Sequence, residues 1–145
     1  MIEVKHIYIK DASFESPHAP KILETQWNPN VDIKLHSLNA KLEDDDLYES
    51  ILQVTVTAKH EDSTIFMAEV EQAGVFQISE FVGEELDKIL QVECPNILFP
   101  YAREAISSLV SKGGFPQLLM APINFEHIYI QKHHAKNERM TSKPH

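Results

Sequence analysis

The chain is short of the residues from which catalytic and cofactor sites are usually built. Cys94 is the one cysteine in 145 residues. It has no partner for an internal disulfide, which fits a reducing compartment. Its neighbours are apolar and Pro95 follows it, so it lacks the basic setting that a reactive thiolate needs. The four glycines spell neither GxGxxG nor GxxxxGK(S/T), so no phosphate-cradling loop is expected, and no GxSxG nucleophile elbow is present. Long apolar runs are missing too. The longest, Ile97 to Ala102, contains Pro100 and is far too short for a membrane span. The first residues, Met1-Ile2-Glu3-Val4-Lys5, show no basic stretch followed by an apolar one, so no secretory signal is expected. Positive charge is the last shortage: 13 Lys and Arg against 22 Asp and Glu leave a net charge of −9. That argues against nucleic acid, whose phosphates need basic patches. These shortages predict a cytoplasmic protein with no metal or nucleotide cofactor and no direct membrane insertion.

What is present predicts one folded domain. Hydrophobic residues make up 43% and charged residues 24%, a globular composition, and the length suffices for a core. Charge is uneven. From Gln131 onward Lys132, Lys136, Arg139 and Lys143 face one acid, Glu138, so the body before them is strongly acidic, which favours basic partners. The first half reads as strands. Val4, His6 and Tyr8 alternate with Lys5, Ile7 and Ile9, which predicts a strand with apolar residues on both faces. An irregular crossover rich in proline follows, from Ser16 to Asn30. Val31, Ile33 and Leu35 then alternate with polar residues in a half-buried strand. The clearest pattern is a hairpin turning at His60 to Ser63. One face carries Tyr48, Leu52, Val54, Val56, Ala58, Phe66, Ala68 and Val70; Met67, Glu69 and Glu71 point the other way.

The second half reads as helices. Acids follow Gly83, where a helix dipole favours them. Pro95 and Pro100 interrupt the next stretch, and Pro100 is expected to kink a helix or start one. Ala102, Ile106, Leu109 and Val110 form an apolar stripe that Gly113-Gly114 stops. Asn124 caps a last helix bearing Phe125, Ile128 and Tyr129. Residues 1–131 are expected to be the domain and 132–145 a flexible polar tail without regular structure. Strands followed by helices predict an α+β fold, an antiparallel sheet with helices on one face.

Candidate chemistry stays thin. His133-His134, His127 and His145 lack the two-pair spacing of a zinc site. Glu43 to Asp46 lacks the glycine and terminal glutamate of a calcium loop. Apolar residues are in surplus, however. Asn96 to Tyr101 is bulky on every side, Phe115 to Ile123 is an apolar loop, and Trp27 lies in the crossover. A small domain with one wet sheet face has limited core to absorb them, so a subunit interface or a binding groove is expected.

Three runs then identify a resemblance: Cys94-Pro95-Asn96-Ile97-Leu98-Phe99-Pro100-Tyr101-Ala102-Arg103-Glu104, Gly113-Gly114-Phe115-Pro116-Gln117-Leu118, and Ala121-Pro122-Ile123-Asn124-Phe125-Glu126. They resemble the SecB export chaperones, with weaker similarity from Tyr8 to Glu15, Val54 to Ala58 and Gly74 to Phe76, roughly residues 4 to 131 in all. The resemblance implies a four-stranded antiparallel sheet with helices on one face and a homotetramer built as a dimer of dimers. It implies an ATP-independent holding chaperone, not an enzyme, that binds unfolded secretory preproteins in apolar grooves and passes them to the SecA ATPase. Trp27, Ile33, Leu35, Phe125 and Tyr129 are the groove candidates. Acids matching Asp11, Glu15 and Glu69, with Met67 among them, are implied to receive a basic module of SecA. Ala68, Val70 and Gln72, with Ile106 and Leu109 of the apolar stripe, are implied to lie at the oligomer interface. The fold also serves a second use, a chaperone dedicated to one client such as an antitoxin. Departures from the family pattern are Ile123 where valine is common, His127 where a small residue is usual, and the basic tail.

Overall fold

The structure is a computed structural model and describes residues 1–24, 28–43 and 46–141, with side chains through His134. Strands β1 (Ile2–Glu15), β2 (Asn30–Lys41), β3 (Leu47–His60) and β4 (Ser63–Ile78) form one antiparallel sheet in the order β1-β4-β3-β2. The crossover from β1 to β2 therefore joins opposite edges, about 14 Å apart at ordinary strand spacing. A single 3-10 turn, Lys21–Glu24, lies within it.

β3 follows the period-two pattern from Leu47 to Ala58, after which its pairing with β4 slips by one residue. Leu52, Val54, Val56 and Ala58 are buried on one face, while Ile51, Gln53, Thr55 and Thr57 are half-buried on the other. β4 continues the buried face through Phe66, Ala68, Val70 and Phe76. The helices are α1 (Gly83–Lys88), a π-helical turn (Ile89–Glu93), α2 (Cys94–Lys112) and α3 (Phe125–Thr141). α2 lays Leu98, Ala102, Ile106 and Val110 on β3 and β4, and none is more than 1% exposed. Their i, i+4 spacing gives one straight stripe. Gly74 admits this close approach: a Cβ there would lie 3.1 Å from Leu98 Cδ2.

The prolines do not end the helical path. The π turn directs the Cys94 N–H to the Ile89 carbonyl, and Pro95 falls in the first turn of α2, where a missing N–H costs nothing. Pro100 lies inside α2. The stop is Gly113-Gly114: the Gly113 N–H bonds the Leu109 carbonyl at 2.9 Å, and Gly114 takes φ +89°, a left-handed conformation suited to glycine. Gly113 has a different reason to be glycine. Its φ is ordinary, but a Cβ would collide with the Phe14 ring. That ring stacks on Phe66 at 5.7 Å, and Phe66 meets Phe115 at 4.9 Å.

Two expectations need correction. β1 is not apolar on both faces. Its pairing with β4 slips at Lys5 and again at Lys10. Each bulge inserts one residue and swaps the faces. Ile2 and Val4, then Ile7 and Ile9, then Ala12 and Phe14 consequently all fall opposite even-numbered β4 residues, on the helix side. Secondly, α3 runs on to Thr141, past the point where a polar tail was expected, and the boundary expected after Gln131 lies inside this helix. The Asn124 cap is as anticipated, its Oδ1 accepting the His127 N–H at 2.9 Å.

Candidate functional site

The bulge at Lys10 has a chemical consequence. Beyond it Asp11 pairs with Glu71, Ser13 with Glu69 and Glu15 with Met67. Cross-strand partners share a face, so Asp11, Glu15, Met67 and Glu69 lie together on the side of the sheet away from the helices. Glu71 joins them, as does Gln53, which pairs with Glu71 in β3. The Gln53 amide donates to Glu69 Oε1 and fixes one carboxylate of the patch. Further along the same face, Lys10 Nζ lies 2.9 Å from Glu49 Oε1, and the Tyr8 hydroxyl donates to Glu49 Oε2. These two donors hold the Glu49 carboxyl below its ordinary range. Burial, and then Glu49, push the Tyr8 phenol up to about 12. Glu49 is thereby neutralised, whereas Asp11, Glu15 and Glu71 have no ion pair among those found between described residues.

The helix side of the sheet is covered in the middle and open along its margins. β2 presents Val31, Ile33 and Leu35 there, opposite Ala58, Val56 and Val54. Ile33 is 39% exposed and Val31 41%, because α2 lies over β3 and β4 and leaves β2 bare. The stripe connects two cavities. At the Leu35 end, a small one of about 100 Å³ brings Leu35, Phe125 and Tyr129 together with Leu52, Ile128 and Gln91. At the Val31 end, a larger one of about 600 Å³ is lined by Leu23, Val31, Phe66, Phe115 and Leu118. Ile33 lies between them by period two. The structure thus gathers four of the five groove candidates along one margin; Trp27 lies outside the described residues. Phe125 is a lesser contributor than expected. It is 6% exposed and packs edge-on against Phe99 at 5.9 Å, so most of it is core. No local sequence signal points to the larger cavity beyond the apolar character of the loop from Phe115 to Ile123, which supplies Phe115 and Leu118 to its lining.

The candidate interface residues lie elsewhere than on an open surface. Ala68, Val70 and Ile106 are fully buried and Gln72 nearly so, its amide donating to the Tyr8 carbonyl at 3.0 Å; Leu109 is half-buried. They form the seam between sheet and α2 within one chain. Apolar surface that is exposed includes Val4 and Ile9 on β1, Tyr101 on α2 and Leu119 beyond it. Among the described residues no group of three His, Cys, Asp or Glu is placed to hold a metal, and no helix is long and apolar enough to cross a membrane. Burial pushes the Cys94 thiol up to about 12, so it stays protonated at neutral pH.

A sheet that carries a negative patch on one face and an apolar groove on the margin of the other defines a binding protein of the α+β class. The chain belongs to the SecB family: the family model described as preprotein translocase subunit SecB matches residues 1–136. It is 53% identical over 129 residues to the protein-export protein SecB of Chromobacterium violaceum, covering 89% of this chain and 85% of that one. It is 45% identical over 143 residues to the protein of the same name from Methylococcus capsulatus, covering 98% and 92%. Among solved structures, a SecB-like chaperone from Mycobacterium tuberculosis, in complex with a peptide from an antitoxin, matches at a TM-score of 0.69 and 17% identity, over 84% of this chain and 90% of that one. At that identity the likeness concerns the fold.

Proposed function

We propose that this chain is a cytoplasmic, ATP-independent holding chaperone. It binds unfolded preproteins along the β2 margin, keeps them competent for translocation and delivers them to the SecA motor. Family membership supports the export role, and the exposed Val31–Ile33–Leu35 stripe between two cavities carries the assignment of the groove. An extended segment needs apolar contact without sequence preference, and a stripe of aliphatic residues ending in aromatic-lined cavities offers it. The acidic patch of Asp11, Glu15, Glu69 and Glu71, with Met67 between them, suits a basic module of SecA, since opposite charge speeds encounter and excludes wrong partners. A homotetramer buries the exposed apolar residues of β1 and α2. Dedication to a single antitoxin client is not favoured: the relatives at 45–53% identity are export proteins, and the antitoxin-bound structure is only 17% identical.

The test is binding of a permanently unfolded protein, such as reduced carboxymethylated α-lactalbumin, followed by fluorescence and by native mass. Ile33→Asp places a charge in the stripe. It is expected to weaken binding by about tenfold or more, the scale of stranding a polar group against apolar surface, and to leave the assembly intact. Unchanged affinity removes the groove from this margin. A native mass equal to one chain removes the tetramer.

A further inference from the structure

Tyr129 is a groove residue whose polar end is held. It stands on α3, and its ring lines the cavity shared with Leu35 and Phe125. Its hydroxyl points away from that cavity toward α1. There it donates to Asp87 Oδ2 at 3.3 Å and lies 2.8 Å from His133 Nε2, one helical turn further on. A carboxylate only accepts, so the phenol proton is directed at Asp87, and the phenol oxygen accepts from His133 in the tautomer that carries its proton on Nε2. Asp87 is itself fixed from the other side, because Gln91 Nε2 donates to its Oδ1 at 2.8 Å. The His133 ring also meets the Tyr129 ring edge-on at 4.7 Å and 82°. Asp87, close by Glu84, holds the phenol above its ordinary range, after desolvation as the first cause.

The chain of contacts Gln91–Asp87–Tyr129–His133 joins the helical path at 83–93 to α3. Among the described residues these two elements also share an exposed ion pair, Lys88 to Glu126 at 3.2 Å. An aromatic ring hinged at Cβ and free at its hydroxyl turns about two torsions. A ring tied at both ends is already ordered before anything lies against it. We propose that Asp87 and His133 are positioning residues for client binding: they clamp the Tyr129 hydroxyl and so preset its ring as a rigid wall of the groove. Neither need touch the client. Their contribution is the ordering cost that the bound complex no longer bears, about two- to tenfold in affinity for one immobilised side chain.

This inference rests on the groove assignment, and the experiment separates the two. Affinity for reduced carboxymethylated α-lactalbumin is measured for the intact assembly of the wild type and of Asp87→Ala, Tyr129→Phe, the double variant, Asp87→Asn, His133→Ala and Ile33→Asp. Asp87→Ala and Tyr129→Phe are each expected to weaken binding about fivefold, within the range given by that ordering cost, and His133→Ala by less. The double variant is expected to be no weaker than either single one, because both remove the same clamp. Asp87→Asn keeps an acceptor for the phenol and is expected to restore affinity to within about twofold of the wild type. A purely structural role for Asp87 would give additive losses and no rescue. A difference titration of tyrosinate absorbance, wild type against Tyr129→Phe, is expected to place this phenol above the ordinary tyrosine range and Asp87→Ala to bring it down. Wild-type affinity in Asp87→Ala, or additive losses in the double variant, overturns the positioning role even when Ile33→Asp binds weakly. Unchanged affinity in Ile33→Asp overturns the groove and this inference with it.

Discussion

β1 and β3 are each fourteen residues long, yet they reach their two faces differently. From Leu47 to Ala58 β3 alternates without interruption, so its helix-side residues there are buried and its other face stays half open. β1 alternates in three short runs separated by bulges at Lys5 and Lys10. The regular strand supplies a platform: Leu52, Val54 and Val56 anchor α2 while Gln53 and Thr55 stay on the far side. The bulged strand supplies the transition between surfaces. Because Lys10 is an extra residue, Phe14 reaches the aromatic cluster on the helix side and Asp11 and Glu15 reach the acidic patch. Holding that one residue out of the pairing thus preserves the packing of the α2 terminus, through Phe14 and Gly113, and the composition of the patch on the opposite face. It also leaves the two proposed binding surfaces on opposite sides of one sheet, where each can be altered separately.

Truncating Phe14 is expected to have the largest effect. Phe14→Ala removes the ring that the bulge at Lys10 sets on the helix side, against Phe66 and Gly113. Its cost is about 3 kcal/mol, the scale of truncating a phenylalanine in an apolar cluster. Deleting Lys10 removes only the bulge: Ile9 and Asp11 keep Gln72 and Glu71 as partners, so Phe14, Asp11 and Glu15 keep their faces, and SecA docking is expected to persist in that variant. Urea unfolding reads the first effect and a SecA titration the second; wild-type stability in Phe14→Ala would mean that the ring does not anchor the α2 terminus, and lost docking in the deletion would mean that the faces depend on Lys10 itself.

Glu69→Lys acts on one face only. It reverses a charge at the centre of the patch and removes the acceptor of Gln53. SecA binding is expected to fall by about tenfold or more at low salt, given the couplings of close charge pairs across interfaces. High salt is expected to weaken the wild type toward the variant, since exposed charges are screened over about 8 Å at physiological ionic strength. Holding of the unfolded protein is expected to persist, because Glu69 lies on the face opposite Val31 and Ile33. Equal SecA affinities for the two proteins would take docking off this face, and a loss of holding would mean that the two faces are not independent.

The unequal legibility of these strands in the sequence follows from the same geometry. Strict period two made the β3–β4 hairpin and the placing of Met67, Glu69 and Glu71 readable from residue types alone. In β1 the spacing of Ile2, Val4, Ile7, Ile9, Ala12 and Phe14 is period two with one residue added at each bulge. Averaged over the strand, that looks like apolar residues on both faces. Whether Asp11 and Glu15 joined Glu69 depended on pairing that no local pattern encodes. The α2 stripe and its glycine stop were legible because i, i+4 spacing and Gly113-Gly114 are local signals. The burial of Ala68, Val70 and Gln72 under α2 was not, since it depends on which part of the sheet the helix crosses. Val31 and Phe115 came together only through the tertiary fold, and Asp87, which follows the acidic first turn of Glu84 and Glu85, gave no sign of its bond to Tyr129.

The smallest effect belongs to the trio that neutralises Glu49. The Tyr8 hydroxyl, first, and Lys10, second, hold the Glu49 carboxyl below its ordinary value. A carboxyl with a depressed folded pKa contributes stability that is present above the unfolded carboxyl value and is lost as pH falls through the folded one. The Tyr8 phenol is raised to about 12, so its contribution is present below about pH 10, the ordinary phenol range, and is lost as pH rises toward the folded value. The pair therefore stabilises a plateau that spans neutrality. Tyr8→Phe removes the larger of the two hydrogen bonds and leaves Lys10 at 2.9 Å. Its cost is expected to be about 1 kcal/mol, the net scale of one hydrogen bond given up at a part-buried site while Lys10 stays on the carboxylate. That cost should appear at pH 7 and vanish in acid once Glu49 is protonated in both proteins. Lys10→Met is expected to do less to the Glu49 titration and more to the patch, since it frees a carboxylate to add to Asp11 and Glu71. Urea midpoints at several pH values, with a side-chain carboxyl titration of Glu49 by NMR, check both variants. A constant stability difference across that pH range, or a Glu49 titration that Tyr8→Phe does not raise, would mean that the hydroxyl packs against Glu49 without holding its charge.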